Sequence, residues 1–286
     1  MTTIRTSSLS SYPQCPRRWA AGIIGAEIKS AGFSLRDGER GVAASIGTAT
    51  HKSAELTLKE KAASGKLPPV TFAQDIAVTR LRADLFEGVV YDSQYTVNAN
   101  DAEKQAVGMA QAYHGHIAPK IEPLLIETRL EAEIPWSSQK LILSGQMDIV
   151  AREPKKLRDL KTGIRYGNHN AQVGGYELLL RSHGHGDIAE ASIDFIRRVK
   201  PSKPQPRPEE KPVPLGIAGQ AATNILRHID RDLEVWRNGD VRLGLLPGDP
   251  AAFVANPSCN LCSARYCVAH SSGPNGWCHD WDKGDE

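Results

Sequence analysis

SGQMDIVAREPKKLRDLKTG, residues Ser144 to Gly163, is the stretch around which the chain is organised. It reads as two short strands joined by a tight turn around Glu153, Pro154 and Lys155. Side chains alternate along a strand, so a loop with an even number of residues sets Asp148 across from Asp159 or Lys161. Asp159 and Lys161 are two apart and share a face, while Met147, Ile149 and Leu160 are expected to point the other way into a core. Two carboxylates and one ammonium then converge on a small volume. Clustered carboxylates raise each other's pKa unless a cation lies between them, and a divalent metal is the natural occupant.

Outward from this hairpin, Leu124 to Ile134 is strand-like and precedes Leu141 to Ala151 and Lys156 to Lys161, so the three are expected to form an antiparallel meander. Glu127, on the first of these strands, lies within reach of the metal site, although an outward-facing position is its plainer reading. The segment from His169 to Leu180 reads as a helix despite Gly174 and Gly175, whose cost is tolerable where a second backbone approaches closely. Gln172 and Tyr176 are four apart and share one face of it. A strand from Ile188 to Val199 follows, then PSKPQPRPEEKPVP, which reads as a loop or tether because its prolines and charges suit neither a helix nor a central strand. Leu215 to Trp236 is helical, with Ile217, Ala221, Ile225, Ile229 and Leu233 tracing the expected buried face.

Before the hairpin, Thr6 to Ser11 predicts a capped short helix running into Tyr12-Pro13-Gln14-Cys15-Pro16-Arg17-Arg18-Trp19. A glycine-rich irregular stretch occupies Ala31 to Gly41, and a helix is expected from Gly47 to about Ala63, with His51 and Glu55 one turn apart on one face. Thr71 to Val90 and Asp101 to Ile117 carry helical apolar spacing and read as packing elements. The expected organisation is one α/β domain over 1–286. Its parts are an N-terminal segment (1–46), a helical part (47–120), a sheet with the Gln-Tyr helix (121–200), the Pro-rich loop (201–214) and a C-terminal helix with a cysteine cluster (215–286).

The 286 residues include 35 basic and 33 acidic side chains, so overall charge neither demands nor excludes a polyanionic partner. Local clustering matters more: Arg17, Arg18, Lys155, Lys156, Arg158, Lys161 and Arg165 crowd the regions just described. The N-terminus lacks the apolar core of a signal peptide and no apolar run is long enough to span a bilayer, which points to a cytoplasmic protein without a membrane partner. Five cysteines, three of them between Cys259 and Cys267, do not look like a disulfide framework. Cys259-x2-Cys262 with Cys267 nearby is a metal-binding spacing, since two thiolates across a two-residue turn bind one centre. The fourth ligand is open between Cys15, which closes the site across the fold, and Cys278, His270 or His279, which make a local zinc knuckle.

His51, Asp148, Asp159-Leu160-Lys161 and Gln172-x3-Tyr176, in that order, resemble the nuclease domain of the RecB type within the PD-(D/E)XK superfamily. The segment ending in Tyr12-Pro13-Gln14-Cys15-Pro16 and the late Cys259, Cys262 and Cys267 resemble its iron-sulfur branch, which includes AddB-like recombination nucleases and CRISPR-associated adaptation exonucleases. The resemblance implies a restriction-endonuclease-like α/β fold, a central mixed sheet flanked by helices, with a cysteine-bound cluster joining the two ends of the chain. It implies that Asp148, Asp159 and the Leu160 carbonyl hold Mg²⁺ or Mn²⁺, with His51 completing the shell. Lys161 then positions and helps deprotonate the attacking water, and Gln172 and Tyr176 orient Lys161 and contact the strand. Cys15, Cys259, Cys262 and Cys267 would bind a 4Fe-4S cluster, structural Zn²⁺ being the alternative. The expected activity is a metal-dependent deoxyribonuclease, an exonuclease on DNA ends or single strands in recombination, repair or phage-type processing, with a helicase or recombination partner. The competing functions are a non-catalytic DNA-binding or scaffold subunit and a zinc-knuckle protein.

Overall fold

The computed structural model describes residues 1–31, 35, 40–92 and 94–238. A six-stranded mixed sheet forms its centre, ordered β1-β3-β4-β5-β6 with β2 also paired to β3. The strands are β1 (Thr2–Arg5), β2 (Pro123–Glu133), β3 (Leu141–Ala151), β4 (Lys156–Gly163), β5 (Glu190–Arg197) and β6 (Glu209–Pro212). The meander is as the sequence predicts: β2, β3 and β4 are successive antiparallel neighbours, and a four-residue turn over 152–155 joins β3 to β4. The register Ile149↔Arg158, carried one step further, sets Asp148 opposite Asp159.

β3 divides one of its edges between two partners. β1 pairs in parallel with Leu141 to Ser144, β4 pairs antiparallel with Ile149 to Ala151, and β2 runs along the opposite edge. Residues 145–148 lie in the fork between β1 and β4. The core alternation also breaks here. Met147 packs with Val173, Tyr176 and Leu180 on one side of the sheet, while Ile149 and Leu160 pack with Ile46, Met109 and Tyr113 on the other. The sequence expectation had put Met147, Ile149 and Leu160 together. The switch coincides with Glu127, which stands opposite Asp148 between the pairs Ile126↔Ile149 and Thr128↔Met147 and has φ 47°, a left-handed conformation unusual for a non-glycine residue.

The helices α1 (Thr6–Leu9), α2 (Pro16–Ile23), α3 (Gly25–Ser30), α4 (Val42–Ser64), α5 (Val70–Glu87), α6 (Ala99–His116), α7 (Asn170–Ser182) and α8 (Leu215–Arg237) cover the two faces. The helices α4, α5 and α6 pack on one side through Leu58, Leu81 and Met109, while α7 and α8 pack with the N-terminal segment on the other through Leu9, Trp19, Leu179 and Leu226. Two close approaches fix these layers. A Cβ on Gly47 would lie 2.8 Å from Thr162 Oγ1, so α4 rests tightly on β4. A Cβ on Gly174 would overlap the Ala218 carbonyl, so α7 and α8 meet backbone to backbone, as the paired glycines suggest.

Three expectations are corrected. The Pro-rich stretch contains β6, which forms an edge strand on β5; prolines are tolerated at such an edge because one side of the strand needs no ladder donors. The buried face of α8 is Ala218, Ala222, Leu226, Ile229 and Leu233, whereas Ile217 is 61 % exposed. A strict four-residue repeat drifts around a helix of 3.6 residues per turn, so Ile217, Ala221 and Ile225 fall to the flank. The helix expected from Gly47 begins at Val42, and β1 was not anticipated because four residues carry too little pattern. No described helix is long and apolar enough to cross a membrane.

Candidate active site

The fork in β3 gathers the candidate residues. Asp148 Oδ2 accepts a hydrogen bond from the Leu160 N–H at 2.6 Å, which locks its carboxylate onto the backbone of β4. Its other oxygen lies 3.4 Å from His51 Nδ1, delivered by α4 one turn beyond the Gly47 contact. Asp159 is buried on β4, with Oδ2 2.5 Å from Lys161 Nζ, as two residues on one face of a strand allow.

From α7, Gln172 Nε2 donates to Asp159 Oδ1 at 3.4 Å and to the Tyr176 hydroxyl at 2.8 Å. The i, i+4 pairing therefore occurs, with Gln172 and not Tyr176 reaching Asp159. Gln172 and Lys161 thus share the Asp159 carboxylate. Tyr176 is only 3 % exposed, and its hydroxyl also bonds Thr6.

Glu127 joins the group despite its secondary place in the sequence reading. Its Oε2 accepts from Gln146 Nε2 at 2.6 Å. One ligand atom from each of His51, Glu127 and Asp148 lies within 4.8 Å of the others. The left-handed backbone at Glu127 defeats strand alternation as a guide. The usable signal was register, since the pairs Ile126↔Ile149 and Thr128↔Met147 set Glu127 opposite Asp148.

The electrostatics are those of a site short of positive charge. Burial, reinforced by Asp148, pushes the Glu127 carboxyl up to about 7. Burial also raises Asp159 to about 6, against the lowering effect of Lys161 and with a further push from Asp148. Burial opposes ionisation of Asp148 as well, yet His51, Lys161 and the Leu160 N–H outweigh it and hold Asp148 below the usual carboxylate range. His51 is raised because Asp148 overcomes the cost of its burial. His169, at the start of α7, is pushed down to about 4 by burial and by Lys161. A divalent cation among these groups would relieve the carboxylate repulsion, and oxygen donors with one imidazole suit Mg²⁺ or Mn²⁺. The donor set therefore fits such a metal.

Cys15 is half-buried and caps α2, its Sγ accepting from the Arg18 N–H at 3.5 Å. Cys259, Cys262, Cys267 and Cys278, with His270 and His279, lie outside the described residues, as does the cluster they were expected to form.

Among solved structures, the chain is similar to a candidate exonuclease from Eubacterium rectale, with 12 % identity, 84 % of this chain and 82 % of that one covered, and a TM-score of 0.49. It is also similar to a phage related exonuclease from Haemophilus somnus 129PT, with 16 % identity, 69 % and 96 % covered, and a TM-score of 0.29. No curated protein matches the chain. The family model described as PD-(D/E)XK nuclease superfamily matches residues 5–267, a span that takes in β2 to β6, His51 and the Asp159-Leu160-Lys161 strand. On that match, the chain belongs to the PD-(D/E)XK nuclease superfamily.

Proposed function

We infer that the chain is a divalent-metal-dependent deoxyribonuclease that hydrolyses phosphodiester bonds at DNA ends or in single strands. The observation that carries this reading is the convergence of His51, Glu127, Asp148, Asp159 and Lys161 at the fork of β3. Asp148, Asp159, the Leu160 carbonyl and His51 would hold Mg²⁺ or Mn²⁺, and Glu127 adds a third carboxylate. When bound, the metal supplies an acidified water and a Lewis acid for the charge developing on the phosphate. Lys161 directs its ammonium toward the attacking water or a phosphate oxygen, with Asp159 fixing its position. Gln172 and Tyr176 steady Asp159 from α7. A 4Fe-4S cluster on Cys15, Cys259, Cys262 and Cys267 is proposed from the resemblance to the iron-sulfur branch alone, and Zn²⁺ in a knuckle with Cys278 from the cysteine spacing. A recombination, repair or phage-type setting follows the same resemblance.

The test compares end-labelled linear DNA with covalently closed circles. Linear DNA is expected to be degraded with Mg²⁺ or Mn²⁺, circles to survive, and EDTA to stop the reaction. Cleavage that persists in EDTA would overturn metal dependence, and equal cutting of circles would overturn end-directed action.

Metal binding has a readout of its own. A ligand that binds only the native state stabilises by roughly 2.7 kcal/mol at 100 times its Kd, which is several degrees of Tm for a chain of this size. Millimolar Mn²⁺ should therefore raise Tm at pH 8. Protons compete for the carboxylates, and those of Glu127 and Asp159 leave only above about 7 and about 6. The shift should accordingly shrink toward pH 5, and Asp148→Ala should remove it at pH 8. An equal shift at both pH values, or in the variant, would place the metal elsewhere.

A further inference from the structure

Where β1 leaves the edge of β3, a cleft of about 350 Å³ opens beside the carboxylate site. It is lined by Arg5, Thr6, Ser7, Arg129, Ser144, Gly145, Gln146 and Tyr176. Among the described residues, two guanidinium groups, four hydroxyls and an amide line this wall and no carboxylate does, although Glu131 accepts from both Arg129 and Ser144. That composition is opposite in sign to the neighbouring site, where three carboxylates meet. The side chain of Arg5 is exposed and makes no hydrogen bond or ion pair with any described residue. Arg129 donates to Glu131 at 2.8 Å and weakly to Ser144 Oγ at 3.4 Å, and its side chain is 66 % exposed, so donors of its five-hydrogen fork remain available. The floor is fixed by close packing, since a Cβ on Gly145 would lie 2.7 Å from Thr6 Oγ1.

The cleft is physically joined to the hydrolytic residues. Gln146, on its wall, donates to Glu127. Tyr176, also on its wall, is bonded to Gln172, which reaches Asp159. From Ser144 to Asp148 along β3 is roughly 13 Å at the usual strand rise, so a strand with one phosphate at the carboxylates has another within reach of the arginines.

We propose that this cleft binds a phosphate group of a nucleic-acid strand, held by Arg5 and Arg129, while another phosphate of the same strand lies at the carboxylate site. The assignment rests on the nuclease reading above. The phosphate is either a terminal monoester or an internal diester of the bound strand, and both present the oxygens that guanidinium groups grip in pairs.

The test measures binding in the full-length Lys161→Ala background, expected to leave DNA intact with Mg²⁺ present. Fluorescence anisotropy follows a single-stranded oligonucleotide carrying a 5′-phosphate, a 3′-phosphate or neither, across a salt series. Arg5→Gln and Arg129→Gln should each weaken binding by roughly 5- to 10-fold and reduce the slope of log K against log salt by about 0.7, the value for one lost phosphate contact on a single strand. Arg5→Lys should keep most of the slope. Arg82→Gln, at an arginine paired with Glu103 on the outer helices, should change neither quantity. A terminal phosphate in the cleft predicts that Arg5→Gln erases the preference for one phosphorylated end, and an internal one predicts equal losses on all three oligonucleotides. Unchanged affinity and slope in both glutamine variants, with the parent binding, would overturn the cleft assignment. A parent that binds none of the oligonucleotides would overturn the nuclease reading and the cleft with it. Arg5 and Arg129 are exposed, so unchanged unfolding midpoints should accompany the binding losses.

Discussion

Lys161→Ala is expected to lower cleavage of linear DNA by on the order of 10³-fold, the scale of losing a positioned proton-transfer or charge-stabilising group. The lysine side chain is four-fifths buried, with its ammonium against Asp159 at the centre of the site. Lys161→Arg should not rescue activity, because a planar fork with a longer reach cannot replace a compact ammonium. Asp148→Ala should abolish activity to a similar degree for a different reason. It removes a proposed metal ligand together with the acceptor that ties Leu160 N–H to β3 and the partner of His51. The two variants separate in the metal titration, where Lys161→Ala should retain the Mn²⁺-dependent rise in Tm and Asp148→Ala should lose it. Full activity in both would leave the site without a catalytic role.

Gly174→Ala is expected to cost about 3 kcal/mol or more of stability, at the upper end of overpacking effects. The added methyl would meet the Ala218 main chain, which has no rotamer to retreat into. Gly175→Ala should cost less, because its methyl meets the Thr6 methyl at 2.9 Å and Leu9 Cδ1 at 3.0 Å, both side-chain atoms able to shift. Urea midpoints of the two variants test the order. Equal midpoints, or a Gly174 variant as stable as the parent, would mean that α7 and α8 can separate without loss. A drop in Gly174→Ala should also loosen Gln172 and Tyr176, since the helix that carries them is set by this contact.

The meander and most helices were legible because each repeats a local period for eight or more residues. The Asp148, Asp159 and Lys161 cluster was legible for the same reason, since a hairpin with an even loop fixes which side chains face each other. Glu127 was underweighted because one left-handed residue redirects it without any mark in the sequence. Met147 was placed on the wrong side of the sheet by the same irregularity, which alternation cannot register. On α8 the apolar residues outnumber the positions that the core accepts, so only the backbone contact at Ala218 reveals which stripe is buried. β1 and β6 are short and gain their structure from neighbours far along the chain, information that no window of sequence holds. The cleft was illegible on the same grounds, because Arg5 and Arg129 are brought together by pairing across more than a hundred residues.

The division of one β3 edge between β1 and β4 also bears on the order of assembly. The turn between β3 and β4 is four residues long, so the carboxylate hairpin closes at little entropic cost, whereas Thr2 must find Leu141 across nearly half of the chain. A partly opened molecule thus acquires its carboxylates and Arg129 early and Arg5 late. Detaching four residues of β1 removes Arg5 while leaving the antiparallel ladder of β2, β3 and β4 paired, so local opening of β1 would take Arg5 from the cleft before it disturbs the carboxylate site.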